Sequence, residues 1–521
     1  MIYEIKLLLA AFAAMLFGAL AARPALQELV GKDRYRKIWT VVAIGIAFSF
    51  LSTIPFVFEL GVALTAWAGT VLLGSENRTR LGLFLLLALS FPPINFVLGG
   101  VGDINNLLYL DHLRILSLVL LLPAASQLLF RRRDTRGNPF RTVDILLIAY
   151  YALVVIMLAP TVSNTGLVRL IFERFVDIFV PYYVATRSLR SIADVRFVAT
   201  YLLIGCVFVS AVGLAETATQ HYLYSPLQYI YNVKWQLTHT LLRGGLLRVQ
   251  ATTQEPIVLG FVLTIGIGLW TWLCDKAWLR PRNLAIFLML GLALVSTWSR
   301  GPWLGAAVMA VSILVLKLKM PRAYATGLLA CFAGILVLKI TGADAAVYDA
   351  FKQALGGSEE DFGTIDYRRR LLDASLGLIA QSPWLGVANY GAYLQEFRQG
   401  EGIIDLVNSY LIITLNTGLV GLTLYLLPQA IAFFGMLRRL VASDGDAGDP
   451  FIRAFLSILL ANGLMLFTTS SINVMPAVSL FVVTLSLVYL RVPRSTAVEV
   501  DLDSERNVGG DARSTALSFP R

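Results

Sequence analysis

Arginines carry the first chemical signal in this sequence. Ser299-Arg300-Gly301-Pro302 joins two apolar runs, roughly 283–299 and 301–317. A guanidinium between two such runs costs free energy unless it is paired or hydrated, so it reads as functional by default. Arg243 and Arg248 stand in one long polar segment, and the triplet Arg368-Arg369-Arg370 stands in another. The planar guanidinium fork matches phosphate oxygens through parallel hydrogen bonds. Several such side chains near a membrane surface point to an anionic lipid head group, most naturally a diphosphate-linked lipid. Arg174 lies inside an apolar run with Glu173 and Asp177 beside it. A structural ion pair explains that trio as well as a binding site does.

The elements that position these residues follow from composition. Hydrophobic residues make up 57% of the 521-residue chain and charged residues only 15%, against about 45–50% and about 25% in soluble domains. Lipid must be the solvent for much of the surface. Apolar runs of spanning length recur from 4–22 to 475–491, each matching a hydrocarbon core about 30 Å thick. The expectation is an all-α polytopic integral membrane protein of about 12–15 transmembrane helices. The first run ends in small residues, but Glu4 beside Lys6 makes a poor signal-peptide start, so it reads as the first helix.

The net charge of +10 serves topology here rather than nucleic acid, for which nothing else speaks. Alternate loops are basic: Arg131 to Arg141, then Arg187, Arg190 and Arg196, then Lys276, Arg280 and Arg282, then Lys317, Lys319 and Arg322, then Arg438 and Arg439. These loops face the cytoplasm by the positive-inside rule. Two large segments, about 216–255 and 342–407, then face outward. Residues 1–491 form a single polytopic domain and 492–521 a disordered cytoplasmic tail. Leu372, Leu376 and Ile379 share one helical face, read as an interfacial helix ending near Pro383. Tyr222, Tyr224, Tyr229, Tyr231 and Trp235 either stack on sugars or lie on the bilayer, and the bilayer is the favoured reading.

Other signals are set aside. Cys206, Cys274 and Cys331 all sit in apolar runs and suggest neither a disulfide framework nor a metal site. Asp444-Gly445-Asp446 and Asp501-Leu502-Asp503 mimic a metal-binding Asp-x-Asp pair, yet fall on the cytoplasmic side as solvated charges. Neither a phosphate-binding Gly-rich loop nor a dinucleotide fingerprint occurs.

Four segments together resemble the superfamily of O-antigen ligases and O-antigen polymerases. STWSRGPWLG (296–305) is similar to its Ser-Arg-Gly-x-Trp-Leu-Gly motif. RVQATTQEPIVLGF (248–261) is similar to the arginine-led segment before a central span, with Glu255-Pro256 as in exopolysaccharide-type members. YRRRLLDASLGLIAQSPWLGVANYG (367–391) resembles the outer-loop pattern of arginine, helix and Pro-x-x-Gly. VNSYLIITLNTGLVGL (407–422) resembles the segment opening the next helix, with Val407 where the family has histidine and Asn408 following. A valine cannot accept a proton, so the resemblance leans toward the polymerases.

The resemblance implies glycosyl transfer at the periplasmic face of the bacterial inner membrane. A hydroxyl of one lipid-linked glycan attacks C1 of another, and undecaprenyl diphosphate leaves. Arg300 and Arg248 would hold the diphosphate, Arg368 would match the family's loop arginine, and Arg174 and Asn408 would bind substrate. Glu255 would act as general base, with Asp366 behind it and His221 and His239 as bystanders. The donor is already activated, so no cofactor or metal is required. A flippase and a chain-length regulator usually accompany such polymerases. The alternatives are an O-antigen ligase acting on lipid A core or protein, and a polysaccharide transporter or flippase. Transporters often carry internal repeats around a midplane site, whereas here there is no repeat and the charges gather at one face. A purely structural scaffold would leave Arg300 without a reason.

Overall fold

The computed structural model describes residues 2–99, 106–130, 139–231, 241–243, 245–274, 280–318, 324, 326–328, 359–398, 404, 406–442 and 449–492, the side chains of 2–3 and 359–366 excepted. Its helices are α1 (Ile2–Val30), α2 (Lys32–Leu51), α3 (Pro55–Leu73), α4 (Asn77–Ser90), α5 (His112–Phe130), α6 (Arg141–Leu158), α7 (Asn164–Arg174), α8 (Val180–Ser188) and α9 (Ile192–Thr219). They continue with α10 (Pro256–Leu273), α11 (Pro281–Ser296), α12 (Arg300–Lys317), α13 (Glu359–Gln381), α14 (Ser409–Ala442), α15 (Pro450–Thr468) and α16 (Met475–Tyr489). Among the described residues, nine helices are long and apolar enough to cross a bilayer, and α11 and α16 are shorter apolar helices. The chain is an all-α polytopic membrane protein.

Two helices form the centre. Helix α9 opens on a reciprocal capping box, Ser191 with Asp194, and is buried along most of its 28 residues. Helix α10 starts with Pro256 at its first position, where a missing N–H costs nothing. It too is buried on nearly every side. Helices apolar all round belong inside a bundle. At the periphery Leu9, Trp67, Ile148 and Leu314 are exposed, as lipid-facing side chains should be.

The sequence reading departs from the structure in three places. The run at 81–99 is not one span, because α4 stops at Ser90 before Phe91-Pro92-Pro93. A proline lacks the N–H that would continue the helix. The chain then makes an antiparallel ribbon, β1 (Phe96–Gly99) with β2 (Asn106–Leu110), pairing Phe96 with Leu110 and Val97 with Tyr109. A second ribbon joins β3 (Leu242–Arg243) and β4 (Leu246–Leu247). The run at 167–186 starts earlier, at Asn164, and passes through a π turn (Phe175–Phe179) into α8. A matching π turn (Ser117–Leu121) interrupts α5, and the Ser117 hydroxyl donates to the Val176 carbonyl at 2.7 Å. On α13, where no departure arises, Leu372 and Leu376 are exposed while Leu371, Ser375 and Leu378 pack with Leu394, Leu406 and Leu415. The aromatic cluster also turns inward. Tyr224 packs on Phe50, Tyr231 packs on Phe58 and donates to the Ser49 carbonyl, and only Tyr229 of the described tyrosines there is exposed. Trp235, Cys331, the span at 323–341 apart from a few positions, both Asp-x-Asp pairs and the 493–521 tail lie outside the described residues.

Helix α14 is broken. Gly418 has φ 65° and ψ −167°, and a loop is wedged against it. The Val387 N–H donates to Leu415 O at 2.6 Å on one side of the break, and the Leu419 N–H donates to Pro383 O at 2.8 Å on the other. Gly386, at φ +74°, completes the interlock, for a Cβ there would stand 2.5 Å from Leu415 O. Only glycine fits two backbones at this distance in that conformation.

Candidate active site

One end of the bundle gathers the turns that carry the chemistry. The strand of chain from Arg248 to Glu255 is its keel. The Glu216 carboxylate, wholly buried at the end of α9, accepts from the N–H groups of Leu223, Gln250 and Ala251. Thr252 donates to Leu89 O, the Gln254 amide to Pro93 O, and the Asn473 amide to Thr253 O. Four separate elements therefore pin five residues. Within that turn Ala251 and Gln254 have φ of 50° and 65°. Left-handed conformations cost non-glycine residues about 1–3 kcal/mol each, and persist where the surroundings over-determine them.

Arg248 projects from this keel onto the α11–α12 turn. Its Nε donates to Thr297 O at 3.3 Å and one terminal nitrogen donates to Ser299 Oγ at 3.2 Å. Ser299 in turn donates to Thr297 O. Trp298, between them, has φ 50°. The Arg243 guanidinium reaches the Trp298 carbonyl at 2.9 Å. Tyr222 braces the other side, its hydroxyl donating to Arg248 O and accepting from the Leu241 N–H. Burial lowers the proton affinity of Arg248; the charges of Arg243 and Arg368 act in the same sense and Glu255 against it. Arg248, Arg243, Arg368 and Glu255 thus share one electrostatic neighbourhood.

The remaining expected site residues fall as follows. Arg300 begins α12, next to the Ser299 hydroxyl that Arg248 holds, and its side chain is exposed rather than sunk between the helices. Arg368 is exposed on α13 with Arg369 and Arg370. Asn408 caps α14, its Oδ1 accepting from the N–H groups of Tyr410 and Leu411. Val407 is half-buried beside it. His221 is exposed with Nδ1 against Thr219 O, while His239 and the Asp366 side chain lie outside the described residues.

Arg174 stands apart from Arg248. The ionic partner of Glu173 and Asp177 is Arg114, at 3.3 and 3.2 Å, and not Arg174. Arg174 instead lines a cavity of about 650 Å³ with Arg114, Asp177, Gln254 and Asn473. Arg114 escaped the sequence reading because its partners are more than fifty residues away. The signal was there, as Asp111-His112-Leu113-Arg114 places charge at the mouth of an apolar run. Gln254 lies on the cavity wall, and the next residue, Glu255, acts electrostatically on Arg248.

Residues 284–426 match the family model described as O-antigen ligase. That stretch is similar to the O-antigen ligase family. Compared with curated proteins, the chain has no match. The ligase-family stretch contains Arg300, Arg368, Asn408 and both interlocking glycines, Gly386 and Gly418. Its Pro-x-x-Gly and Gly-Leu-x-Gly-Leu segments are accounted for by architecture: they are the two halves of the wedge in α14. Arg248 and Glu255 lie N-terminal to the matched stretch and are brought to it by the fold, whereas the cavity that Arg174 lines is formed by residues outside it. The family supports a membrane glycan ligase or polymerase type of role.

Proposed function

We propose that this protein polymerises undecaprenyl-diphosphate-linked oligosaccharide repeat units at the periplasmic face of the inner membrane. The observation that carries the proposal is Arg248. Two of its five N–H groups are fixed on Thr297 and Ser299, and the other three make no hydrogen bond to the described residues, so they can meet a ligand in a fixed orientation. It lies in a neighbourhood of guanidiniums, with Glu255 as the nearby carboxylate.

In the proposed reaction an acceptor hydroxyl oxygen forms a bond to C1 of the donor sugar. The bond from C1 to the phosphate oxygen breaks, and undecaprenyl diphosphate departs with that electron pair. Glu255 takes the hydroxyl proton. Preorganised cations stabilise the charge that develops on the leaving group, the part assigned to Arg248, Arg300 and Arg368. Val407 occupies the place of the ligases' histidine, which favours repeat-unit transfer to another repeat unit.

The test is glycan profiling of a strain lacking the gene, complemented with wild type, Arg300→Ala or Glu255→Gln. Single lipid-linked repeat units accumulating without the gene support the polymerase. Long lipid-linked polymer that is never transferred identifies a ligase instead. Normal polymer from Arg300→Ala sinks the assigned mechanism.

A further inference from the structure

The cavity beside the 251–255 turn has a chemical character unlike that of the Arg248 cluster. Its charged lining is balanced: Arg114 and Arg174 face Asp111 and Asp177. Asp111 caps α5 by accepting from the Arg114 N–H, and Arg114 spends its guanidinium on Glu173, Asp177 and Tyr109 O. Three buried polar atoms in this lining have no hydrogen-bond partner among the described residues: Arg174 Nε, Asp177 Oδ1 and His112 Nδ1. These three atoms are closed off by protein, so they mark a polar interior behind the walls, and it is the charged and amide side chains of the lining that face an occupant. The side-chain amides of Asn95, Gln254 and Asn473 add donors and acceptors to the same walls.

A diphosphate is the wrong occupant, because two carboxylates would confront it. A cation would confront two guanidiniums. An uncharged molecule that donates and accepts at neighbouring atoms fits both, and vicinal sugar hydroxyls do so. The volume of about 650 Å³ lies within the range of about 300–1,000 Å³ usual for small-molecule sites. We infer that this cavity holds the hydroxyl-bearing end of the acceptor glycan, gripped by Arg174 and Asp177. The inference rests on the proposed transferase reading and assigns its two substrates to opposite sides of one turn. The glycan enters from the cavity, the diphosphate lies along Arg248, and Glu255 stands at the boundary.

The experiment uses the full chain in lipid nanodiscs and two probes. One is the oligosaccharide released by mild acid from the lipid fraction of a strain lacking the gene. The other is undecaprenyl diphosphate without sugar. Arg174→Gln is expected to weaken oligosaccharide binding tenfold or more and to leave undecaprenyl diphosphate within twofold. Arg248→Met is expected to do the reverse. Asp177→Asn should act like Arg174→Gln, and Arg174→Lys, which keeps the charge, covers the case in which a neutral variant fails to fold. Oligosaccharide binding unchanged in every folded variant overturns the inference, as does an equal loss of both probes in Arg174→Gln or Arg174→Lys. Wild type that binds the oligosaccharide but not undecaprenyl diphosphate sinks the lipid-diphosphate reading and leaves the cavity standing. Wild type that binds undecaprenyl diphosphate alone sinks the cavity and spares the other.

Discussion

Replacing Ser299 by alanine tests whether Arg248 acts as an aimed fork or only as a charge. Ser299 Oγ accepts one of the two bonds that fix the guanidinium, and Thr297 O accepts the other. A hydrogen bond to a charged group contributes about 1.5–3 kcal/mol, and each 1.36 kcal/mol in a barrier is about tenfold in rate. Ser299→Ala should therefore slow turnover roughly tenfold. Arg248→Lys keeps the charge but loses both anchoring bonds, for a fall of roughly 100-fold. Because Ser299 works through Arg248, the double variant should also fall roughly 100-fold, not 1,000-fold, a coupling of about 1.4 kcal/mol. Ser299→Thr, which retains a hydroxyl, should restore most of the rate. The assay is polymer formation by the full chain in lipid nanodiscs with purified lipid-linked repeat unit, normalised to inserted protein, with kcat and KM separated. The anchor positions a group acting on the departing diphosphate, so the loss belongs mainly in kcat. Multiplicative losses, or a loss confined to KM, would refute the aimed-fork reasoning.

Four other outcomes are expected. Arg114→Leu leaves Glu173 and Asp177, both largely buried, without their cation, and should cost about 3–5 kcal/mol, seen as a marked fall in melting temperature in detergent. Gly418→Ala drives a Cβ into the Trp384 backbone at a positive φ and should cost about 1–3 kcal/mol from conformation alone before the clash is added, with loss of the monodisperse peak on gel filtration as the readout. Glu255→Gln should lower kcat by about 10²–10⁴-fold with little change in melting temperature, as removal of a general base does. Tyr222, pushed up to about 12 by burial, has a folded value above the unfolded value of about 10; its contribution to stability is complete below pH 10 and is lost as pH rises toward 12, so Tyr222→Phe should flatten that stretch of the melting profile.

Periodicity and length read the spanning helices well, because a bilayer imposes the same constraint on each one. Its limits were local. Hydropathy alone carries one span through Phe91-Pro92-Pro93, although the proline pair is itself a stop signal. It counts the loop tyrosines as bilayer anchors, since nothing in the chain reveals that Ser49 O and Phe58 await Tyr231. The arginine at 248 was legible as a phosphate ligand by type, but its anchoring by Thr297 and Ser299 was not, for those bonds span about fifty residues. Glu216 was missed altogether. A carboxylate at the end of an apolar run looks like a boundary charge, and only the fold reveals that three backbone N–H groups close on it.

The paired π turns constrain how this chain can change over time. A π turn amounts to one residue inserted into an α-helix, and one residue is about 100° of rotation about the axis. Deleting any residue of 117–121 would restore a regular helix and swing Arg114 about 100° away from Asp177. Deleting one from 175–179 would turn α7, with Arg174, relative to α8 by the same angle. Neither deletion is repaired by substitution, but the two together could restore the match. Related sequences that keep the Arg114–Asp177 pair should therefore hold both insertions or neither, and a gap confined to one of the two helices marks a lineage whose cavity has been rebuilt.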